Sequence, residues 1–314
     1  MRILVLGAGG VGACFGGRFA ESGIDVTFLV RPRRRAQLEK NGLVVRSSFG
    51  DIATPVTTIA SDEITAPYDL VLLSCKAYDL DDAMAAIAPA MGADSVVLPL
   101  LNGLRHIEVL QARFGEDNVW GGSCYIGAAF NSETGEINHI GDFQRIVFGA
   151  LDGQQSDSVK AFAALDASVD FDIELSPDIV QTMWDKFSML AALATASTIT
   201  GATIGEILEA PSGEAFLLAS LAESRDTAAA LGHPVSAKTL EAYNRMFTTR
   251  GSAFAASMLR DMEAGRQTEG EHVLGDFVRR AAAQGIDTPM VRCALAAIET
   301  HEAKLRSGAS SASA

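Results

Sequence analysis

The first half of the chain alternates between short apolar runs and segments with helical periodicity. Runs without polar positions are typical of strands buried on both faces of a parallel sheet, and apolar residues every three to four positions are typical of helices that cover such a sheet. The apolar runs occupy residues 2–6, 26–30, 70–74 and 95–101, and the helical segments occupy residues 13–21, 80–91 and 104–114. This order predicts a doubly wound, mostly parallel α/β sheet.

Two stretches interrupt the alternation. Residues 43–46 and 54–59 are separated by a polar segment and predict a hairpin inserted into the α/β order. Residues 119–130, 136–140 and 146–151 are separated by turn-forming residues and predict added antiparallel strands.

The pattern changes near residue 177. From residue 178 to residue 304 almost every segment has helical periodicity, and glycine or proline marks the breaks. We therefore expect an α/β domain at residues 1–175 and an all-helical domain at residues 176–306. The small and polar residues 307–314 predict a disordered tail.

A glycine-rich segment directly follows the first apolar run. It fits the pattern G-x-G-x-x-G and consists of Gly7, Ala8, Gly9, Gly10, Val11 and Gly12. In such a loop Gly7 allows the tight turn, Gly9 lets a pyrophosphate approach the backbone, and Gly12 lets the helix pack on the strand. The phosphates bind at the helix N-terminus. Because strand, loop, helix and second strand follow in order, the segment predicts a Rossmann-type dinucleotide site.

The residue that ends the second strand bears on the choice of dinucleotide. NAD-binding proteins usually carry Asp or Glu there, which holds the ribose 2′-OH. This chain has Arg31, followed by Pro32 and then Arg33, Arg34 and Arg35. A guanidinium binds a 2′-phosphate, whereas a carboxylate repels it. Arg31 therefore predicts NADPH as the cofactor, and the other arginines are interpreted as a solvated loop surface.

Composition argues against several other functions. The chain carries 25 Lys and Arg against 39 Asp and Glu, a formal net charge of −14, which disfavours nucleic acid or an anionic membrane as the main partner. The four scattered cysteines predict reduced thiols in a cytoplasmic protein. The histidines show no metal-binding spacing, and no apolar run is long enough to span a membrane. The oligomeric state stays open, with a homodimer among the candidates.

Four polar residues stand at positions suited to chemistry. Lys76 and Asn102 follow the third and fourth apolar runs, at the strand ends where α/β sheets bind ligands. Lys186 lies in an alanine-rich apolar helix, where a lysine must reach solvent, pair or face a cleft. Glu269 stands at the start of another helix, a position that the helix dipole also stabilises. Spacing alone does not pair Lys186 with Glu269.

Several short motifs follow one another along the chain. They are the glycine loop, Arg31, Ser74-Cys75-Lys76-Ala77-Tyr78, Asn102-Gly103, Tyr125-Ile126-Gly127-Ala128, Trp184-Asp185-Lys186, Gly205-Glu206, and Ser257-Met258-Leu259 followed by Glu269. Their joint order is more specific than any one of them. It resembles that of the ketopantoate reductases (2-dehydropantoate 2-reductases) over nearly the whole chain. The resemblance implies a Rossmann domain joined to a helical domain. It also implies NADPH-dependent reduction of ketopantoate, a small 2-oxo acid, to pantoate in pantothenate and coenzyme A biosynthesis.

The resemblance also implies roles for single residues. Lys186 would be the general acid that protonates the carbonyl oxygen, and Glu269 would orient Lys186 and the nicotinamide end of the cofactor. Asn102, Ser257 and Lys186 would contact the substrate. The cofactor site would consist of Gly7, Ala8, Gly9, Gly10, Val11, Gly12, Arg31, Lys76, Asn102, Ala128 and Glu269.

Three positions depart from the family pattern. Members that reduce ketopantoate usually carry asparagines where this chain has Leu190, Ala194 and Ile204. Each lost polar contact should cost about 1 kcal/mol or more of substrate recognition. A more apolar 2-oxo acid or ketone is therefore a second candidate substrate. Hydroxyl side chains on the same helix are candidate replacements, although such groups more often bond their own backbone: Thr195, Ser197, Thr198 and Thr200.

Two further interpretations remain open. A non-catalytic NADP(H)-binding sensor would have no need for both Lys186 and Glu269. A β-hydroxyacid dehydrogenase would share the two-domain plan, but those enzymes usually carry asparagine at the position of Leu190.

Overall fold

The structure, a computed structural model, describes residues 1–311 and divides into two compact units. The N-terminal unit contains residues 1–102 and 106–182, and the helical unit contains residues 103–105 and continues from residue 183. The division lies beyond residue 175, the predicted boundary, because the start of a long helix packs on strands of the N-terminal unit. A methyl group on Gly121 or Gly149 would lie 2.7 or 3.2 Å from the Ile179 side chain.

Two sheets form the N-terminal unit. Their strands are β1 (Arg2–Leu6), β2 (Asp25–Leu29), β3 (Leu43–Arg46), β4 (Ile52–Thr54), β5 (Thr57–Ile59), β6 (Leu70–Leu73), β7 (Val96–Pro99), β8 (Trp120–Phe130), β9 (Ile137–Ala150) and β10 (Asp172–Leu175). The first sheet has the order β5-β2-β1-β6-β7, and all its neighbouring strands are parallel. This is the doubly wound strand order of a Rossmann-type domain and confirms the predicted fold class. The second sheet has the order β10-β9-β3-β4, with β8 antiparallel to β9.

The predicted hairpin at residues 43–59 is only partly correct. β3 pairs antiparallel with β4 in the second sheet, but β5 pairs parallel with β2 at the edge of the first sheet. Pro55 lies between β4 and β5, and a proline cannot donate to a strand ladder. The chain therefore changes sheets where a single strand was expected.

The two strands expected at residues 136–140 and 146–151 are a single strand, β9. Its register with β8 shifts between Ile126, which pairs with Gln144, and Gly127, which pairs with Ile140. The turn-like residues in between thus form an irregularity within one long strand instead of separating two strands. Gly141 adopts a φ of +93°, a conformation that favours glycine.

Helix α1 lies between the two sheets. The helices of this unit are α1 (Gly10–Glu21), α2 (Pro32–Asn41), α3 (Leu80–Ile87), α4 (Arg105–Phe114) and α5 (Asp157–Ala163). A methyl group on Gly16 of α1 would lie 2.7 Å from the Phe28 ring of β2, and one on Gly17 would lie 2.9 Å from Leu43 of β3. Small residues on α1 thus let both sheets approach it closely.

The helical unit confirms the prediction of a helical C-terminal domain. Its helices are α6 (Ile179–Thr200), which begins in the N-terminal unit, α7 (Ile204–Ile207), α8 (Gly213–Ala230), α9 (Ala237–Phe247), α10 (Ser257–Glu263), α11 (Asp276–Ala283) and α12 (Pro289–Ser311). A π-helical turn, Glu271–Gly275, leads into α11.

The last helix differs from the expected disordered tail. α12 includes residues 307–311 of that segment, and residues 312–314 lie outside the described residues. Among the described residues, no helix is both long and apolar enough to cross a bilayer.

Candidate functional site

The glycine loop forms a tight connection between β1 and α1. Gly7 has a φ of +88°, and its N–H donates to the Leu29 carbonyl of β2 at 3.0 Å. Gly9 is the N-cap of α1, and the Ala13 N–H donates to its carbonyl at 2.9 Å. The N–H groups of the first helical turn have no intrahelical acceptor and can bind an anion.

The glycines of the loop differ in the space around them. A methyl group on Gly12 would overlap the Gly7 carbonyl oxygen and the Ser74 hydroxyl, so this glycine is required for close packing of α1 on the sheet. A methyl group on Gly9 would meet no atom within 4 Å. The loop therefore leaves open space in front of Gly9, where a dinucleotide pyrophosphate fits.

Arg31 lies at the end of β2, beside the glycine loop. The register pairs Leu6 with Leu29, so the residues that follow both strands lie at the same edge of the sheet. The Arg31 side chain is 73% exposed, and its Nη2 lies 3.2 Å from Oδ1 of Asp79. An exposed ion pair of this kind contributes little stability, so the guanidinium is available to a phosphate.

Lys76 and Asn102 follow the next two strands. The register pairs Leu6 with Leu73 and Leu73 with Pro99, so β1, β6 and β7 end at the same edge of the sheet. Ser74 donates to the Leu6 carbonyl at 2.9 Å, and Lys76 is half-buried. The structure thus places the residues predicted from four strand ends at one edge of the first sheet: Gly7, Arg31, Lys76 and Asn102.

Ala128 of β8 contacts the loop from the second sheet. A methyl group on Gly10 would lie 2.9 Å from the Ala128 Cβ. Of the cofactor residues suggested by the resemblance, Ala128 is therefore in direct contact with the glycine loop. Glu269 belongs to the other unit.

The arginine run after Arg31 lies on helix α2 instead of in a loop, and of its three arginines only Arg33 is exposed as the sequence suggested. Pro32 is the first residue of α2, a position where proline is favoured because its missing N–H would have no acceptor. Arg33 donates to the Ser132 carbonyl at 3.0 Å, Arg34 donates to the Ala8 carbonyl at 2.9 Å, and Arg35 pairs with carboxylates. Nothing in the sequence distinguished Arg34 from its neighbours, although proline at a helix start predicts α2.

Lys186 is buried on α6, with 9% of its surface exposed. Two aromatic residues near Lys186 in the sequence hold α6 against other parts of the helical unit. Phe187 contacts Phe277 of α11 with ring centroids 5.3 Å apart, and Trp184 stacks on His233 at 4.5 Å. These contacts pack the helix that carries Lys186 against the helix that follows Glu269.

Glu269 is buried, with 7% of its surface exposed, two residues before the start of the π-helical turn. The preceding residue, Thr268, is anchored to α12, since its hydroxyl donates to Glu302 Oε1 at 2.7 Å and its N–H donates to the same oxygen at 3.3 Å. Gly270 packs so tightly on Ile298 that a methyl group would overlap it. The backbone on both sides of Glu269 is thus held against α12. π-Helical turns are frequent at functional sites.

Ser257 begins α10 and lies close to the Lys186 face of α6. Residues four, eight and eleven positions after Lys186 lie within roughly 90° of it around a helix. The last of these, Ser197, accepts a hydrogen bond from the Ala256 N–H at 3.2 Å, beside Ser257. The face that contains Lys186, Leu190 and Ala194 is therefore directed toward the start of α10.

Ile204, the third apolar residue that stands in place of an asparagine, lies near the start of α10. The Ile204 N–H donates to the Phe254 carbonyl at 2.9 Å, and the Gly205 N–H donates to the Ser252 carbonyl at 2.8 Å. Ala194 is fully buried and Ile204 is 1% exposed, whereas Leu190 is half-buried. The structure thus places Ile204 beside residues 252–257, the segment that also contacts the end of the α6 face carrying Leu190 and Ala194.

The hydroxyls on α6 do not replace the expected asparagines. Ser197, Thr198 and Thr200 donate to carbonyls of their own helix at 2.6 to 2.7 Å. The Thr195 hydroxyl is buried without a hydrogen-bond partner, and it lies nine residues from Lys186, roughly on the opposite side of the helix. The Lys186 face of α6 therefore keeps its apolar character.

Comparison with known proteins reveals relatives over nearly the whole chain. A family model described as Ketopantoate reductase PanE/ApbA matches residues 3–153, and the model for the C-terminal domain of that family matches residues 178–302. YkpB of Bacillus subtilis, described as an uncharacterized oxidoreductase, is 34% identical over 97% of this chain and 100% of its own. A 2-dehydropantoate 2-reductase of Archaeoglobus fulgidus is 26% identical over 94% of this chain and 95% of its own. The crystal structure of a PanE/ApbA family ketopantoate reductase from Ralstonia eutropha has a TM-score of 0.86 at 25% identity, over 98% of this chain and 100% of its own.

Proposed function

The chain belongs to the ketopantoate reductase family of oxidoreductases, and we propose that it reduces a 2-oxo acid to a 2-hydroxy acid with NADPH. The observation that carries the proposal is the meeting of Gly7, Arg31, Lys76 and Asn102 at the carboxyl ends of four adjacent parallel strands. Open α/β sheets bind their ligands at this edge.

The residues at this edge fit NADPH. The open space in front of Gly9 and the N-terminus of α1 receive the pyrophosphate, and the exposed Arg31 guanidinium binds the 2′-phosphate. Lys76 and Ala128 line the same site. When bound, NADPH supplies the hydride for the reduction.

A buried lysine in the helical unit supplies the proton. In this proposal the Lys186 ammonium donates a proton to the substrate carbonyl oxygen, so that the oxygen becomes a hydroxyl as the carbonyl carbon gains a hydride. Glu269 orients Lys186 and contacts the nicotinamide end of the cofactor. Ser257 and Asn102 bind the substrate. A protein that only binds NADPH has no use for both a buried lysine and a buried glutamate in its helical unit.

Ketopantoate is the first substrate to test, because family members with that activity match nearly the whole chain. The second candidate is a 2-oxo acid or ketone with a more apolar tail. It is favoured by the apolar side chains that stand in place of asparagines at Leu190, Ala194 and Ile204, and by the hydroxyls of α6 that bond to their own helix. Each additional buried methylene of substrate should contribute about 0.8 kcal/mol, roughly fourfold in affinity.

The proposal is tested by following NADPH oxidation with a panel of 2-oxo acids. The panel contains ketopantoate and a series in which the tail grows by one methylene at a time. We expect turnover with NADPH and a kcat/KM that rises along the apolar series. A preference of a hundredfold for ketopantoate over every apolar analogue would contradict the second candidate. Bound NADPH without turnover of any member would contradict the reductase and support a sensor.

The matched variant for this panel is Leu190→Asn. It introduces the asparagine that family members usually carry at this position, which is half-buried on the Lys186 face of α6. It should improve kcat/KM for ketopantoate and lower it for the most apolar substrate, because a buried amide requires a polar partner. A uniform change across the panel would show that residue 190 does not contact the substrate.

A further inference from the structure

The glycine loop is supported by an arginine on the next helix. We propose that Arg34 is a positioning residue that holds Ala8 in place by linking it to the β8–β9 turn (residues 131–136), and that it thereby sets the affinity for the dinucleotide. This inference rests on the proposed function, since it assumes that the loop binds NADPH.

Arg34 joins two backbone segments that are distant in sequence. Its Nε donates to the Ala8 carbonyl at 2.9 Å, and its Nη1 donates to the Gly135 carbonyl at 2.7 Å. The guanidinium carbon lies 4.9 Å from the centroid of the Phe130 ring. Burial lowers the pKa of Arg34 to about 10, which still leaves it charged at neutral pH. Both hydrogen bonds are therefore charge-assisted and stronger than neutral ones.

The β8–β9 turn is itself fixed. Arg33 and Gln37 of α2 both donate to the Ser132 carbonyl, at 3.0 and 3.1 Å. Within the turn, the side chain of Asn131 accepts from the N–H groups of Glu133 and Thr134 at 2.9 and 3.1 Å. Because the turn is attached to α2 and closed internally, the Gly135 carbonyl is a defined anchor for Arg34.

The same two strands contact the loop a second time. Ala128, near the end of β8, packs against Gly10, and Arg34 connects the turn to Ala8. The two contacts lie on either side of Gly9, the residue with open space in front of it. Loss of the Arg34 link would free Ala8 and disturb the backbone that receives the pyrophosphate.

Arg34 acts on the loop and not directly on a phosphate. Its Nη2 is buried and has no hydrogen-bond partner, so a phosphate cannot reach this nitrogen while the arginine keeps its contacts. The pyrophosphate is common to NADPH and NADH, and only NADPH carries the 2′-phosphate. Arg34 should therefore affect both cofactors equally, whereas Arg31 should affect NADPH alone.

The test measures the dissociation constants of NADPH and NADH for the full chain by calorimetry, without substrate. Arg34→Met should weaken the binding of both cofactors by the same factor, about tenfold. This factor corresponds to the lower end of the free energy of a hydrogen bond to a charged group. Arg34→Lys keeps the charge, but a single ammonium replaces the two separate nitrogens, Nε and Nη1, that donate to the Ala8 and Gly135 carbonyls, so it should also weaken both cofactors, by at least threefold. The matched control is Arg35→Met, whose side chain pairs with Glu39 and Glu63 and should leave both constants within twofold.

Melting curves accompany each variant, because a merely structural role would lower the melting temperature without changing the affinity of the folded protein. If Arg34→Met does not fold, the dissociation constants of Arg34→Lys test the inference. Wild-type affinities for both cofactors in Arg34→Lys would overturn the inference but not the proposed function. A loss of affinity for NADPH alone would also overturn the inference without affecting the proposed function. A wild-type protein that binds neither cofactor would refute the proposed function and the inference with it.

Discussion

Replacing Gly9 with alanine is expected to weaken NADPH binding without weakening the fold. Gly9 has a φ of −84° and a ψ of −162°, an extended conformation that alanine adopts without strain. The added methyl group would meet no protein atom within 4 Å. The stability of the protein without cofactor should therefore be unchanged, or higher by about 0.4–1 kcal/mol, because alanine restricts the unfolded chain.

The effect on binding follows from what fills the open space. If the pyrophosphate lies in front of Gly9, the methyl group displaces it from the N–H groups of the loop. Losing one hydrogen bond to a charged group costs about 1.5–3 kcal/mol, roughly a 10- to 150-fold weaker affinity. The dissociation constant of NADPH, measured by calorimetry, should rise by that factor.

The matched comparison is Gly12→Ala, three residues farther along the same loop. Its methyl group would overlap the Gly7 carbonyl oxygen and the Ser74 hydroxyl, so α1 must move away from β1. Overpacking of this kind costs about 1–3 kcal/mol and should lower the melting temperature by several degrees. Wild-type NADPH affinity in Gly9→Ala would refute the placement of the pyrophosphate. A lowered melting temperature in Gly9→Ala would refute the assignment of open space.

Two further substitutions test the cofactor site and the support of Glu269. Arg31→Ala should weaken the binding of NADPH by about 1.5–3 kcal/mol and leave the binding of NADH nearly unchanged, as measured by calorimetry. Equal losses for both cofactors would show that Arg31 does not bind the 2′-phosphate. Glu302→Ala should lower kcat by about tenfold through loss of the Thr268 anchor, and Glu302→Gln should recover most of it, because the amide oxygen can still accept from Thr268. Identical kinetics for the two Glu302 variants would show that this anchor does not position Glu269.

The features predicted correctly from the sequence are those with local patterns. The glycine loop, the buried strands and Arg31 depend on residues close together in the chain, and the structure places them as expected. The helical C-terminal domain also followed from periodicity alone.

The features missed from the sequence depend on distant contacts. Arg34 meets Gly135, which is 101 residues away, and no local pattern identifies such a partner. β5 leaves its expected hairpin because β2 offers a parallel partner at the edge of the other sheet. The position of Ile204 and of the end of α6 beside residues 252–257 likewise depends on tertiary hydrogen bonds, such as that between Ser197 and Ala256.

The most direct test of the proposed chemistry is a single-turnover measurement of NADPH oxidation by wild-type protein and by Lys186→Ala, with the best 2-oxo acid of the panel at saturation. Removal of a general acid lowers the rate by about 10²–10⁴-fold, so the variant should be slower by that factor while its dissociation constant for NADPH stays at the wild-type value. A variant that retains more than half of the wild-type rate would remove Lys186 from the proton transfer and contradict the mechanism.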